Sequence, residues 1–303
     1  DLRMSRGLGD VYKRQIVIPA WGLGNVMFQY AFLCELRFRS KEGCCFFVHK
    51  RSRFDHQGYE LEKLFKVKPY EGLNFFQKIY VHFVEFLGAA GLPHYKLITY
   101  PFREIRPKEN FIYYEDVFEH KGENCLFRGT WQSPKYFAHV VPEILKTFTF
   151  DEKMMSSYSV AMLKRISEYK NSVSIHVRRG DYASGKYDGL LLCCPMDYYQ
   201  RAVSYMEEHM EKPVFFVFSD DIEYVRQYLK ADNIVFVDGN RDSNSWQDMF
   251  LMSRCSHNII ANSTFSWWGA FLNANPDKKV IAPRKWWYYF EHDDVVPDEW
   301  IRL

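Results

Sequence analysis

From residue 171 onward, short apolar runs alternate with stretches whose apolar residues recur at helical spacing. The runs at 173–177, 214–218, 234–237, 258–260 and 280–282 are rich in Val, Ile and Phe, the pattern of strands buried on both faces. The stretches at 197–209, 222–230, 246–255 and 265–274 predict helices between them. Strand and helix in turn is the rhythm of a parallel, doubly wound α/β sheet. An amphipathic helix is predicted over 152–169, with Asp151 as its N-cap, leading into that unit near a hinge.

The N-terminal half is less regular. Its apolar runs predict strands at 16–20, 44–48, 111–114 and 125–127, and its periodic stretches predict helices at 26–40, 59–65 and 73–87. Gly22-Leu-Gly-Asn25 reads as a tight turn, with Asn25 opening the helix as an N-cap. Residues 88–110, rich in Gly, Pro and Tyr, read as loop. The first fifteen residues carry neither a periodic apolar face nor the apolar stretch of a signal peptide. They are expected to be a non-native leader, with folded structure beginning at Ile16. The expected organisation is therefore a leader at 1–15, an N-terminal α/β domain at 16–150 and a C-terminal α/β domain at 151–303.

Charge and composition narrow the function. A net charge of +2 on 303 residues excludes a chain dominated by a nucleic-acid surface. With 47% apolar and 26% charged residues, wholesale disorder is excluded too. The outlier is 26 Phe, 21 Tyr and 8 Trp, which fit either an aromatic core or a groove lined for sugars or bases. Seven Cys without a C-x-x-C pair point to reduced thiols and a cytoplasmic protein. No apolar run reaches the length of about 18 residues that spans a bilayer, so any membrane association is peripheral, at the inner face.

Ligands of open α/β sheets bind outside the carboxyl ends of the strands. In the C-terminal half those ends carry His176-Val-Arg178-Arg179-Gly180-Asp181, Ser219-Asp220-Asp221, Asp238-Gly239 and Ala261-Asn262-Ser263-Thr264-Phe265. Such a rim suits a phosphorylated nucleotide. Arginine at 178 or 179 offers a planar fork for phosphate oxygens. Ser263 and Thr264 stand where a helix begins and can hold an anion with hydroxyls and backbone N–H groups. Asp220 or Asp221 could accept from a ribose hydroxyl or a guanine N–H, or Asp220 and Thr264 could serve as plain N-caps. One of the two arginines is expected to pair with Asp181. Gly22-x-Gly24 lacks the third glycine of a dinucleotide fingerprint and any P-loop Lys, which speaks against a nicotinamide enzyme.

These segments carry a family resemblance. Trp21-Gly-Leu-Gly-Asn-Val-Met-Phe-Gln-Tyr-Ala31 resembles the opening motif of the bacterial α-1,2-fucosyltransferases of glycosyltransferase family 11. His176-Val-Arg-Arg-Gly-Asp-Tyr182 resembles the H-x-R-R-x-D motif of fucosyltransferases. Similar too are Phe218-Ser-Asp-Asp221, Asn262-Ser-Thr-Phe-Ser-Trp-Trp-Gly-Ala270, His56-Gln-Gly-Tyr-Glu-Leu61 and Trp131-Gln-Ser133. Two positions depart from the pattern: Trp21, where Gly is usual, and Val26, where Gln is usual.

The resemblance implies a GT-B-like α/β architecture, two Rossmann-like domains facing across a cleft. It implies transfer of L-fucose from GDP-β-L-fucose, with inversion, to the 2-hydroxyl of a galactose-ended glycan or lipid-linked oligosaccharide. It implies no cofactor and no metal, GDP-fucose being a substrate. Carried onto this chain, the donor would lie on Gly22, Gly24, His176, Arg178, Arg179, Asp220, Asp221, Asn262, Ser263, Thr264 and Phe265. Arg178, Asn25 and Asp181 would serve catalysis, Arg178 by stabilising the leaving diphosphate. For the general base the N-terminal half offers Asp55, His56, Glu115 and Asp116. Two alternatives stand beside this reading: transfer of another GDP-linked deoxysugar, and a non-catalytic nucleotide-sugar or glycan-binding module.

Overall fold

The computed structural model describes residues 14–40, 43–48, 59–68, 75, 78, 79, 81–83, 86, 102–120, 123–183, 193–287 and 292–303. The chain divides into two compact units, one ending at Thr149 and the other running from Phe150 to Leu303.

In the N-terminal unit β1 (Arg14–Val17) lies at the centre of a four-stranded sheet. Helix α1 (Leu23–Ser40) leads to β2 (Gly43–Phe46), followed by the short α2 (Leu61–Phe65). Then come β3 (Arg103–Ile105), β4 (Cys125–Phe127) and α3 (Val141–Thr147). Every pairing is parallel, in the order β2-β1-β4-β3. The helix face is aromatic: Phe32 of α1 stacks on Trp131 with ring centroids 4.1 Å apart, and Tyr136 meets the Trp131 ring edge-on.

Four expectations for this unit are corrected. The first strand starts at Arg14, not Ile16, because parallel pairing with Gly43 and Cys44 draws Arg14 and Gln15 into β1. Buried Gln15 also donates from Nε2 to the His120 carbonyl at 3.2 Å. The strand expected at 111–114 does not form, since Phe111 has φ 70° and left-handed backbone cannot continue a ladder. Instead the Tyr136 hydroxyl donates to the Ile112 carbonyl and accepts the Tyr114 N–H. The stretch read as loop at 88–110 contains β3. Asn25 is not an N-cap, because α1 begins two residues before it. Of the helix expected at 73–87, the described residues 75, 78, 79, 81–83 and 86 are helical.

The C-terminal unit opens with α4 (Ser157–Ser167) and β5 (Ser172–Val177), then one helical turn, α5 (Gly180–Ala183). The order continues α6 (Met196–His209), β6 (Val214–Ser219), α7 (Ile222–Tyr228), β7 (Ile234–Val237), α8 (Trp246–Arg254), β8 (His257–Ile259), α9 (Thr264–Phe271), β9 (Val280–Ala282) and β10 (Ile301–Arg302). All six strands run parallel in the order β10-β9-β8-β5-β6-β7, so the order reverses between β5 and β8. The single helix expected over 152–169 is two elements. Asp151 caps a 3-10 turn by accepting from the Lys153 N–H, the chain extends through Met155, and Ser156 caps α4 by accepting from the Ser159 N–H. Within β8, buried Asn258 donates to Ser174 Oγ and to the Met252 carbonyl, both at 2.8 Å, and accepts from Asn273 Nδ2 at 2.8 Å. These bonds satisfy polar groups that would be costly to bury unpaired.

Candidate active site

The point where strand order reverses is where open α/β sheets leave a crevice for ligands. In the C-terminal unit that point lies between the carboxyl ends of β5 and β8, the strands that lead into Arg178 and Asn262.

Register places the acidic partners beside the arginines. Val177 of β5 is paired with Ser219 of β6, so Arg178-Arg179 and Asp220-Asp221 leave neighbouring strands side by side. Arg178 donates from Nη1 to Asp220 Oδ2 at 2.6 Å. The other oxygen, Oδ1, accepts the Arg179 backbone N–H at 2.8 Å. Arg179 donates from Nε to Asp221 Oδ2 at 3.0 Å and lies 3.2 Å above the centre of the Tyr224 ring. Asp221 in turn caps α7, accepting from the Tyr224 N–H. Among the described residues the carboxylates on the arginines are Asp220 for Arg178 and Asp221 for Arg179; the side chain of Asp181, the partner expected for one of them, lies outside the described residues. The capping role expected of Asp220 belongs to Asp221. The two arginines thus differ: Arg179 lies between the Asp221 carboxylate and the Tyr224 ring, whereas Arg178 is held on Asp220 and lies 5.6 Å from the Tyr182 ring. Gly180 follows closely: a Cβ there would fall 2.6 Å from Asp220 Oδ2, the oxygen that holds Arg178.

His176, the penultimate residue of β5, is buried, with its ring tilted against Phe265 at 5.8 Å. Burial lowers its pKa to about 4, against the opposing pull of Asp220 and with Arg178 adding to the fall. The imidazole is therefore neutral at physiological pH, and its buried Nδ1 has no hydrogen-bond partner among the described residues.

Past β8, Ser263 takes the N-cap position of α9 and Thr264 opens that helix. The Ser263 side chain makes no capping bond, and its carbonyl accepts the Trp267 N–H at 3.0 Å. Asn262 is held from two sides: the Cys194 thiol donates to its Oδ1 at 3.3 Å and the Tyr182 hydroxyl to its carbonyl at 3.4 Å. Burial pushes the Cys194 thiol up to about 11, so it stays a protonated donor. The third expected loop is occupied by its own unit. Asp238 pairs with Arg226, and a Cβ on Gly239 would meet the Tyr158 ring at 2.5 Å.

In the N-terminal unit Gly22 receives the Asn25 and Val26 N–H groups on its carbonyl, at 3.0 and 3.2 Å, and Gly24 is buried in the first turn of α1. Asn25 Oδ1 accepts from Gln132 Nε2, joining the turn after β1 to the segment after β4. Of the base candidates, Glu115 is paired with Arg39 and Asp116 with Lys108 at 2.6 Å, while Asp55 and His56 lie outside the described residues. Sequence reasoning passed over Glu60, whose carboxyl is raised to about 7 by burial although Lys63 pulls it down. It also passed over Tyr224 and Cys194, because an aromatic clamp and a thiol donor carry no motif.

Residues 16–303 match the profile described as Glycosyl transferase family 11. The O-antigen biosynthesis glycosyltransferase WbnK of Escherichia coli is 32% identical over 302 residues, covering 93% of this chain and 98% of its own length. An alpha-1,2-colitosyltransferase of Escherichia coli is 32% identical over 305 residues, covering 94% and 97%. The fold is also that of Arabidopsis thaliana FUT1 solved with GDP, at a TM-score of 0.51 and 14% identity over 93% of this chain and 74% of that one.

Proposed function

Because the chain belongs to glycosyl transferase family 11, and is a glycosyltransferase built from two Rossmann-like units of the GT-B class, we propose that it moves L-fucose from GDP-β-L-fucose to the 2-hydroxyl of a terminal galactoside. The acceptor oxygen attacks the anomeric carbon from the face opposite the leaving group. The bond to the β-phosphate breaks, the linkage formed is α-1,2, and the acceptor's proton passes to a base of the N-terminal unit.

The observation that carries this reading is the arrangement of Arg178 on Asp220 at the switch point of the C-terminal sheet. A guanidinium presents five N–H donors in a planar fork that matches phosphate oxygens, and the bond to Asp220 fixes where that fork stands. Charge on that diphosphate grows as the sugar departs, and a preorganised donor then stabilises the transition state more than the bound substrate. Asp220 and Asp221 position the arginines in this scheme. Neutral His176 and the N-terminus of α9, with Asn262, Ser263, Thr264 and Phe265, complete the donor side of the C-terminal unit; Gly22 and Gly24 are donor-binding residues of the N-terminal unit, and Asn25 serves catalysis. The similarity to an alpha-1,2-colitosyltransferase favours a second reading, transfer of a different deoxysugar by the same chemistry. A cytoplasmic location is supported by seven cysteines that are all free of disulfides. No helix among the described residues is long and apolar enough to cross a membrane.

The experiment is incubation of GDP-fucose, and of other GDP-linked 6-deoxyhexoses, with a panel of terminal galactosides, with product linkage determined by NMR. An α-1,2-fucosylated galactoside is the expected product. Turnover confined to another deoxysugar would favour the second reading. Binding of GDP without any transfer would reduce the protein to a nucleotide-sugar-binding module.

A further inference from the structure

The sheet of the N-terminal unit has its own switch point, between β1 and β4, where its strand order reverses. The turn that leaves β1 at that point carries Trp21. Its φ is 69°, a left-handed conformation that a bulky side chain reaches only at an energetic cost. Ties on both sides hold it there. The Ala20 N–H donates to Oε1 of Gln29 at 3.0 Å, and the fully buried Gln29 donates from Nε2 to the Gly129 carbonyl, just past β4, at 2.9 Å. On the other side the Gly22 carbonyl accepts the first N–H groups of the α1 turn.

This strain does not serve packing. Trp21 is 48% exposed and is the most exposed of the eight tryptophans, whereas Trp131, Trp246, Trp267 and Trp268 are fully buried. Glycine would fit the same backbone without cost. The turn therefore holds an indole in solvent, rigidly, at the edge of a parallel sheet where ligands bind. A flat apolar ring with a polar edge suits the C–H face of a sugar ring, and a prefixed ring loses little conformational freedom on contact.

We propose that Trp21 is a stacking platform for a pyranose ring of the acceptor, set by the strained turn between β1 and α1. This rests on the transferase reading for the identity of the sugar as acceptor. The test compares wild type with W21A, W21G and W21F. Binding of lactose and of N-acetyllactosamine is followed by saturation-transfer NMR, GDP binding by calorimetry, and folding by thermal melts, with acceptor KM where transfer occurs.

The expected result is about a tenfold loss of disaccharide binding, or rise in acceptor KM, in W21A and W21G. GDP affinity should stay within about twofold, W21F should keep most of the disaccharide affinity, and W21G should melt above W21A because it sheds the left-handed strain. Unchanged disaccharide binding in a folded W21A overturns the proposal. So does a parallel loss of GDP affinity and stability, which would mark a structural residue, and so does a wild type that binds neither disaccharide. If wild type binds the disaccharides without transferring fucose, the fucosyl-transfer reading fails, while loss of that binding in W21A still upholds the platform.

Discussion

Arg178 and Arg179 are adjacent, identical in chemistry and unlike in role. Arg179 has one edge of its guanidinium held by the Asp221 carboxylate and one face covered by the Tyr224 ring. Replacing it with Lys removes the stacked plane and the Nε donor, so Arg179→Lys should lower the melting temperature by a few degrees and lose activity with the fold. Arg178→Lys keeps the charge but loses the fork. Turnover should fall by ~10²–10³ while GDP-fucose binding weakens far less, with a melt close to wild type. Steady-state kinetics and melts on both variants decide the matter. A nearly normal Arg178→Lys beside a folded but inactive Arg179→Lys would mean the roles are reversed. The sequence motif locates both arginines, but it does not reveal their partners. Asp181 is close in the chain, whereas Asp220 and Asp221 come from the next strand and reach the arginines only through the register that sets Val177 beside Ser219. Register between parallel strands depends on packing of the whole sheet, which local sequence does not encode.

Elements differ in how plainly they are written. The strands of the C-terminal sheet are legible because burial on both faces leaves continuous apolar runs; β7 and β9 span the expected residues. Strand β3, at an edge and reading Arg-Glu-Ile, has no such run and is invisible to pattern. The aromatic stretch at 111–114 looks like a strand, yet Tyr113 packs against the Tyr136 ring at 4.9 Å from irregular backbone. Helix α8 carries a group whose behaviour no pattern predicts. The Asp248 carboxyl is raised to about 7 by burial, although Asn240 Nδ2, at 2.8 Å, favours its charged form. Since the folded pKa lies above the unfolded one, the folded state keeps a proton that the unfolded chain releases. The resulting stability is full below the unfolded value near 4 and is lost as pH rises through about 7. Asp248→Asn should abolish that dependence, so wild type loses ground to the variant between pH 5 and 8, by at most about 1.4 kcal/mol per pH unit. Urea unfolding at both pH values measures it. A constant difference between wild type and variant would show that Asp248 titrates normally.

At the scale of the whole molecule, composition left the aromatic excess open between core and groove, and the two units resolve it mainly as core. Stacked and edge-on rings such as Phe32, Trp131 and Tyr136 line the N-terminal unit, and Phe150, Trp246 and Trp267 lie inside the C-terminal one. Net charge is equally uninformative, because +2 over the chain hides a local concentration of cationic groups at one sheet edge. There Arg178, Arg179 and the N-terminus of α9 gather, and the two carboxylates beside them are already engaged. Asp220 accepts from Arg178 and from the Arg179 N–H, and Asp221 from Arg179 and the Tyr224 N–H. A divalent cation bridging a diphosphate to these carboxylates would have to displace the arginines and would meet their charge at close range. The arginines themselves can neutralise the leaving group, because a bidentate guanidinium binds phosphate oxygens without a metal. Transfer should therefore persist in excess EDTA with at most about a twofold loss, and added Mg²⁺ or Mn²⁺ should raise the rate no further than that. The measurement is initial velocity at saturating GDP-fucose and acceptor, before and after chelation. Abolition by EDTA with restoration by Mn²⁺ would show that the cation, not Arg178, carries the charge of the departing diphosphate.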